Sequence, residues 1–200
     1  MTNDKIDIHK FAQGEKILTK NKTGAMVTHL SDISKRFIAD SRNLSAADRV
    51  VDIGCCYGIT TLSVLEQSAC KIIGIDLSAE HLEVLINSVL PKDANRLTTV
   101  EGKFPQVLNV ADGSIAAIHA SHLLQFLSGE EIEQGIEKCY RALQAGGKVY
   151  FSTTSIYLAW TEAFLPEYER RVAAGEKWPG EIHNFTDYAP EAAKNFVTDF

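Results

Sequence analysis

The stretch Arg49–Asp76, RVVDIGCCYGITTLSVLEQSACKIIGID, sets the fold. It opens on an apolar run, Arg49–Ile53, breaks at Gly54 and Gly58, and continues through ITTLSVLEQ with helical periodicity. It then returns to a second apolar run, Lys71–Ile75. Strand, glycine turn, helix, strand is the grammar of a βαβ unit. Both runs are apolar at successive positions instead of alternating, so each must be buried on two faces, as in a parallel sheet covered by helices.

Downstream the alternation continues. AEHLEVLINSVL (79–90) reads as a helix, and LTTVE (97–101), IAAIHAS (115–121) and GKVYFST (147–153) read as three more strands. A helix over Glu130–Leu143 carries a capping-box signature, Ser128 with Glu131 three residues on, and Gly146 and Gly147 follow its end. Residues 46–200 are thus expected to form one doubly wound, mostly parallel α/β domain. Residues 1–45 read as an N-terminal helical lid, with helical periodicity in MVTHLSDISKRFIAD (26–40). Pro166 suits the first turn of a last helix reaching Ala174, with Gly175 as its stop. Five strands are countable. The free edge of the fifth calls for a cover: the segment 157–200, a second copy in a homodimer, or chain beyond these 200 residues.

Composition narrows the function. Two hundred residues suit a single core, and 45% hydrophobic with 23% charged residues is ordinary for a globular chain. With 20 Lys and Arg against 26 Asp and Glu, the net charge of −6 disfavours nucleic acid and anionic membrane as partners. No apolar stretch reads as a signal peptide or a membrane span, so the expected compartment is the cytoplasm. Cys55, Cys56, Cys70 and Cys139 show no CxxC pair and read as reduced thiols; no metal site is expected.

In an open parallel sheet ligands gather at the carboxyl ends of the strands, which directs attention to the turn after the first strand. A dinucleotide frame, G-x-G-x-x-G, would need glycines where this chain has Cys56 and Ile59, so a pyrophosphate-bearing nicotinamide cofactor is disfavoured. Asp76 ends the next strand, 22 residues beyond Gly54, where a carboxylate can accept two hydrogen bonds from a ribose diol. The bland alternative makes Gly54 and Gly58 a mere turn and Asp76 a cap for the following helix.

On these residues the chain resembles a class I S-adenosylmethionine-dependent methyltransferase of the small-molecule type. Asp52, Gly54 and Gly58 match the family's acidic residue and G-x-G-x-G, with Cys56 in place of the middle glycine, and GIDLS matches its second motif. DGSIAAIHASHLLQFL and YRALQAGGKVYFST resemble the later strands, so the likeness spans residues 45–155. The resemblance implies a Rossmann-like methyltransferase fold lacking the last two of the usual seven strands. It implies S-adenosylmethionine as cofactor, S-adenosylhomocysteine as product, no metal, and a small-molecule acceptor. By the same resemblance the loop Gly54, Cys55, Cys56 to Gly58 passes the methionine part, Asp76 takes the ribose and Leu77 lies beside the adenine. Lys103 and Phe104 stand where the family places an adenine contact, although lysine cannot accept from the adenine amine.

His122, with Ser121 at the carboxyl end of the fourth strand, is the expected neighbour of the transferred methyl and a candidate general base. Its alternative is a pocket wall. His119 reads as buried and satisfied, and His81 as having no constellation. After the fourth strand the chain carries Ser121-His122-Leu123-Leu124 where amino-directed nucleic-acid methyltransferases carry Asn/Asp-Pro-Pro-aromatic. Glu130 and Glu131 read as helix-start carboxylates. The rival reading is a catalytically silent domain that keeps the fold for binding or assembly, motivated by Cys56 and Lys103.

Overall fold

The computed structural model describes residues 14–19, 25–183 and 187–188. Five strands form one parallel sheet: β3 (Arg49–Ile53), β4 (Lys71–Asp76), β5 (Leu97–Glu101), β6 (Ile115–Ser121) and β7 (Leu143–Ser152), in the order β5-β4-β3-β6-β7. The chain winds outward from β3 in both directions, so the switch point lies between β3 and β6. This is the doubly wound Rossmann-like fold expected from the sequence, with five strands in the sheet among the described residues.

The helices cover the two faces because neighbouring residues of each strand point opposite ways. Val50, Ile72 and Tyr150 pack beneath α1 (Asp32–Ser41) and α2 (Ile59–Gln67), joined by Phe37, Ile38, Val64 and Leu65. α3 (Ala79–Ser88) adds Leu82 and Leu85 against Cys55 beside them. On the other face Val51, Ile53, Ile75 and Ile118 meet α4 (Gly129–Ala142) through Cys139 and Ala142. Ser128 and Glu131 complete both halves of the capping box at the start of α4. The last helix, α5 (Leu165–Ala173), has Pro166 in its first turn and Gly175, at φ +70°, just past its end.

The N-terminal region departs from the helical expectation. Lys16–Leu18 (β1) and Ala25–Val27 (β2) form an antiparallel pair, and the helix begins only after Ser31, whose hydroxyl accepts from the Ser34 amide. The periodicity over 26–40 therefore covers a strand, a bend and a helix; the N-cap at Ser31 cuts the pattern. The last strand starts four residues earlier than the sequence suggests. Gly146 adopts φ +78° within it, and the pairing with β6 shifts register between Ile115 and Ala117. Among the described residues no strand pairs with the outer edge of β7. Trp178 packs on Gly129 and the Glu181 carboxylate accepts from the Gly129 amide, which seats this segment on the start of α4. The remainder, including NFVTDF, lies outside the described residues, as do residues 1–13 of the expected lid. Among the described residues no helix is long and apolar enough to cross a membrane, and no group of three His, Cys, Asp or Glu is placed to hold a metal ion.

Candidate active site

A cleft of about 610 Å³ opens at the carboxyl ends of β3, β4 and β6, within the range of roughly 300–1,000 Å³ usual for small-molecule sites. Gly54, Cys55, Cys56, Asp76, Ser121 and His122 all line it. A narrower lobe of about 60 Å³ continues past Gly54, Asp76 and Leu77 to Gly102, Lys103 and Phe104. The sequence-predicted residues are thus brought together, with one exception.

The exception is Gly58, which does not line the cleft. Its φ is +85° and it starts α2; a Cβ there would stand 2.3 Å from Leu85 Cδ1. Gly58 accommodates the close packing of α2 against α3. Gly54, at φ +70°, is the glycine at the cleft, and its amide and that of Cys55 both donate to the Ile75 carbonyl (2.8 and 3.0 Å). Cys56 sits at φ +50°, so the loop keeps at this position the left-handed turn that a glycine would favour. Its amide donates to Asp76 Oδ2 at 2.8 Å, tying the loop to the end of β4. Burial, then the Asp76 charge, pushes the Cys56 thiol up to about 12, and burial first, then the Asp52 charge, raises Cys55 well above the ordinary thiol range, so neither is a thiolate nucleophile at neutral pH.

Asp76 is more committed than its sequence position suggests. Oδ1 accepts from the Ser78 amide (3.0 Å) and faces His81 Nδ1 (2.9 Å), while Oδ2 holds Cys56. A carboxylate offers about four acceptor sites. Three are used, so the structure leaves Asp76 room for one further donor, not the two expected. His81, 3% exposed and edge-on to Tyr57, is a residue sequence reasoning missed; its Nε2 has no hydrogen-bond partner among the described residues.

Lys103 lines the narrower lobe and pairs with Glu131, whose Oε1 lies 2.8 Å from its Nζ. Burial raises the Glu131 carboxyl, but Lys103 and the Ser128 amide outweigh it and hold the group below the ordinary carboxylate range. Phe104, which is buried, and Leu77, which is 48% exposed, give that lobe apolar surface together with Ile53, Ile75 and Leu123.

On the other side, Ser121 Oγ pairs with Ser152 Oγ at 2.9 Å. His122 holds a left-handed backbone, φ +54°, with its amide donating to the Ser152 carbonyl and its side chain exposed at the rim. A non-glycine residue in that conformation is costly, and such strain clusters at sites where a side chain must be presented. Beneath the rim Asp52 is 2% exposed, its carboxylate shared by Thr61 Oγ1 and His119 Nδ1, both at 2.7 Å. A second cavity of about 230 Å³ meets the cleft at Gln125 and Thr154 and is walled by Leu127, Ile132, Ile156 and Trp178.

Comparison with known proteins follows the geometry. A family profile described as "Methyltransferase domain" matches residues 50–147, from β3 to the start of β7. The carboxy-S-adenosyl-L-methionine synthase of Photobacterium profundum is 33% identical over 116 residues, 54% of this chain and 45% of that protein. The chain spans about half the length of the curated relatives it matches. Among solved structures, a geranyl diphosphate methyltransferase in complex with SAM superposes with a TM-score of 0.52 at 19% identity, covering 81% of this chain and 64% of that one. The YcgJ protein of Bacillus subtilis gives 0.53 at 19% identity, covering 70% and 58%. At these identities the two structures speak for the fold.

Proposed function

We propose that this chain, matched over residues 50–147 by a methyltransferase-domain profile, is a class I S-adenosylmethionine-dependent methyltransferase that transfers a methyl group from that cofactor to a small-molecule acceptor. The observation that carries this reading is the Cys56–Asp76 tether at the mouth of the cleft, which fixes the glycine loop against the one acid able to meet a ribose hydroxyl. The fit is supported by the volume of the cleft, by the apolar Leu77 and Phe104 beside it for a base, and by the spare acceptor site on Asp76.

When bound, S-adenosylmethionine supplies a methyl already activated on a sulfonium, so the protein's part is alignment and proton handling. Gly54, Cys55 and Cys56 lie along the methionine part, and Gly58 supports the loop from behind. Asp76 receives a ribose hydroxyl, and Leu77, Phe104 and the stem of Lys103 flank the adenine. Ser121 and His122 face the transferred methyl from the β6 side, and the exposed His122 imidazole meets the acceptor at the rim. The adjoining apolar cavity behind Gln125 gives an acceptor with a hydrocarbon portion somewhere to lie. The acidic net charge suits a small molecule in preference to nucleic acid.

Synthesis of carboxy-S-adenosyl-L-methionine, the activity named for the Photobacterium relative, is the second reading, favoured by that 33% identity. Calorimetric titration with S-adenosylhomocysteine tests the shared premise: a saturable heat is expected, and its absence refutes both readings. Mass spectrometry of the nucleoside retained on the purified protein then separates them. An unmodified cofactor supports methyl transfer; a carboxylated one overturns it.

A further inference from the structure

Three elements that are distant in sequence converge under the cleft. Asp52 on β3 and His119 on β6 are register partners in the sheet, and their side chains meet at 2.7 Å through His119 Nδ1. The other ring nitrogen, Nε2, lies 3.0 Å from the hydroxyl of Ser34 on α1. All three residues are buried, at 2–3% exposure, yet all three line the cleft. We propose that Ser34, His119 and Asp52 form a proton relay in which the Ser34 hydroxyl is the basic contact for a protic acceptor. The relay rests on geometry; the reaction it serves rests on the methyltransferase reading above.

The direction of the hydrogen bonds follows from the acid. Ionised Asp52 only accepts, and it takes the Thr61 hydroxyl on one oxygen and the His119 Nδ1 proton on the other. His119 Nε2 in the neutral ring is then a lone pair, and Ser34 donates to it. Phe37 of α1 stacks on the imidazole at 5.0 Å, and Tyr150, the β7 register neighbour, sends its hydroxyl away to Asp40. Orientation of a base by a buried carboxylate is what makes an imidazole effective toward a hydroxyl. His122 has no such orienting group: among the described residues no hydrogen bond or ion pair holds its ring. In the step itself the acceptor's X–H proton passes to Ser34 Oγ as the Ser34 proton passes to Nε2. The X lone pair forms the bond to the methyl carbon, and the C–S pair returns to sulfur. The imidazolium left on His119 is balanced by Asp52 and later releases its proton outward by the same path.

The test needs no acceptor. Long-range ¹H–¹⁵N spectra of the wild-type imidazoles are expected to show His119 protonated at Nδ1 and bare at Nε2, with the Nε2 shift moving in Ser34→Ala. A neutral ring protonated at Nε2, or an Nε2 shift indifferent to Ser34→Ala, overturns the relay. An alkyl fluorophosphonate then reports hydroxyl activation directly, since Ser34 Oγ bonds phosphorus, fluoride leaves and the proton goes to His119. Mass spectrometry should place the adduct on Ser34, forming ~10²–10⁴-fold more slowly in His119→Gln. No adduct on Ser34, or an unchanged rate in a folded His119→Gln, also overturns it. If that variant does not fold, the wild-type tautomer and the Ser34→Ala shift decide. Titration with S-adenosylhomocysteine keeps the two claims apart. Labelling without binding refutes the methyltransferase reading and spares the relay; binding without labelling refutes the relay and spares the reading.

Discussion

Replacing Asp76 by Ala should cost the fold as well as the ligand. The carboxylate accepts from the Cys56 amide at 2.8 Å and the Ser78 amide at 3.0 Å, and faces His81 Nδ1 at 2.9 Å, with the residue only 8% exposed. Each hydrogen bond to a charged group contributes about 1.5–3 kcal/mol, and a donor stranded in a buried place costs about 1–3 kcal/mol. The three are coupled and the two amides can be partly rehydrated in the cleft, so they do not simply sum. Removal of one partner from a buried pair, about 3–5 kcal/mol, is the better guide. For a chain of this size each kcal/mol moves the melting temperature by about 2–4 °C, so Asp76→Ala should melt roughly 6–20 °C below wild type. Asp76→Asn separates the contacts. Its carbonyl can still serve Ser78 and His81, but its NH₂ then confronts the Cys56 N–H, donor against donor, and the loop tether alone is lost. The order expected in thermal unfolding is wild type, Asn, Ala. Calorimetry with S-adenosylhomocysteine, run well below both transitions, should show the Asn variant weakened by only about 1–3 kcal/mol. An Ala variant that melts within about 2 °C of wild type would refute the committed role assigned to this carboxylate.

Gly58→Ala should destabilise by about 2–4 kcal/mol, the left-handed strain plus the overlap with Leu85. Denaturant unfolding checks it, and Gly58→Ala with Leu85→Ala should recover the overlap part and not the strain; a loss under about 0.5 kcal/mol contradicts the packing role. Asp40 is held down to about 2 by hydrogen bonds from Lys148, first, and Tyr150, with burial working against them. Since its folded value lies below the unfolded one of 3.8, its contribution is complete above about pH 4 and is lost as pH falls toward about 2. After screening of a side chain 26% exposed this amounts to roughly 1–2 kcal/mol. The stability gap between wild type and Asp40→Asn should therefore close between pH 4 and pH 2, and a gap that persists at pH 2 rejects the assignment.

The sheet was legible because its strands are buried on both faces, and that condition writes itself into sequence as nearly continuous apolar runs such as Val50–Ile53, broken only by Asp52, and Ile72–Ile75. The hairpin at Lys16–Leu18 and Ala25–Val27 left no such trace. Three-residue strands are too short to show a period, and Met26–Val27 blended into the pattern of the following helix. At the site, Gly54, Cys56 and Asp76 could be found because they end strands or follow them directly. His81 was one helical turn beyond Asp76, a spacing that could have drawn attention to it. Ser34 and His119 could not be found in this way, being 85 residues apart and joined only by the docking of α1 on β6. At Gly58 the sequence shows only that space is short; the structure adds that Leu85 is what a side chain there would meet.

The anchoring of α1 has a bearing on how the chain acquires its structure. Ser34 bonds a residue 85 positions later, and Asp40 bonds Lys148 and Tyr150, 108 and 110 positions later. On a ribosome α1 therefore emerges before the five strands of the sheet and must wait for β6 and β7 before its polar anchors exist. Phe37 and Ile38, the apolar face that α1 brings to the core, stay without β6 and β7 throughout that interval. Closing so long a loop is repaid only late, so the polar anchors of α1 form only after the β3–β4–β5 half has been synthesised. The vulnerable species of synthesis is a half-built sheet with its first helix undocked, and its exposed surface is the one that α1, β6 and β7 later bury together.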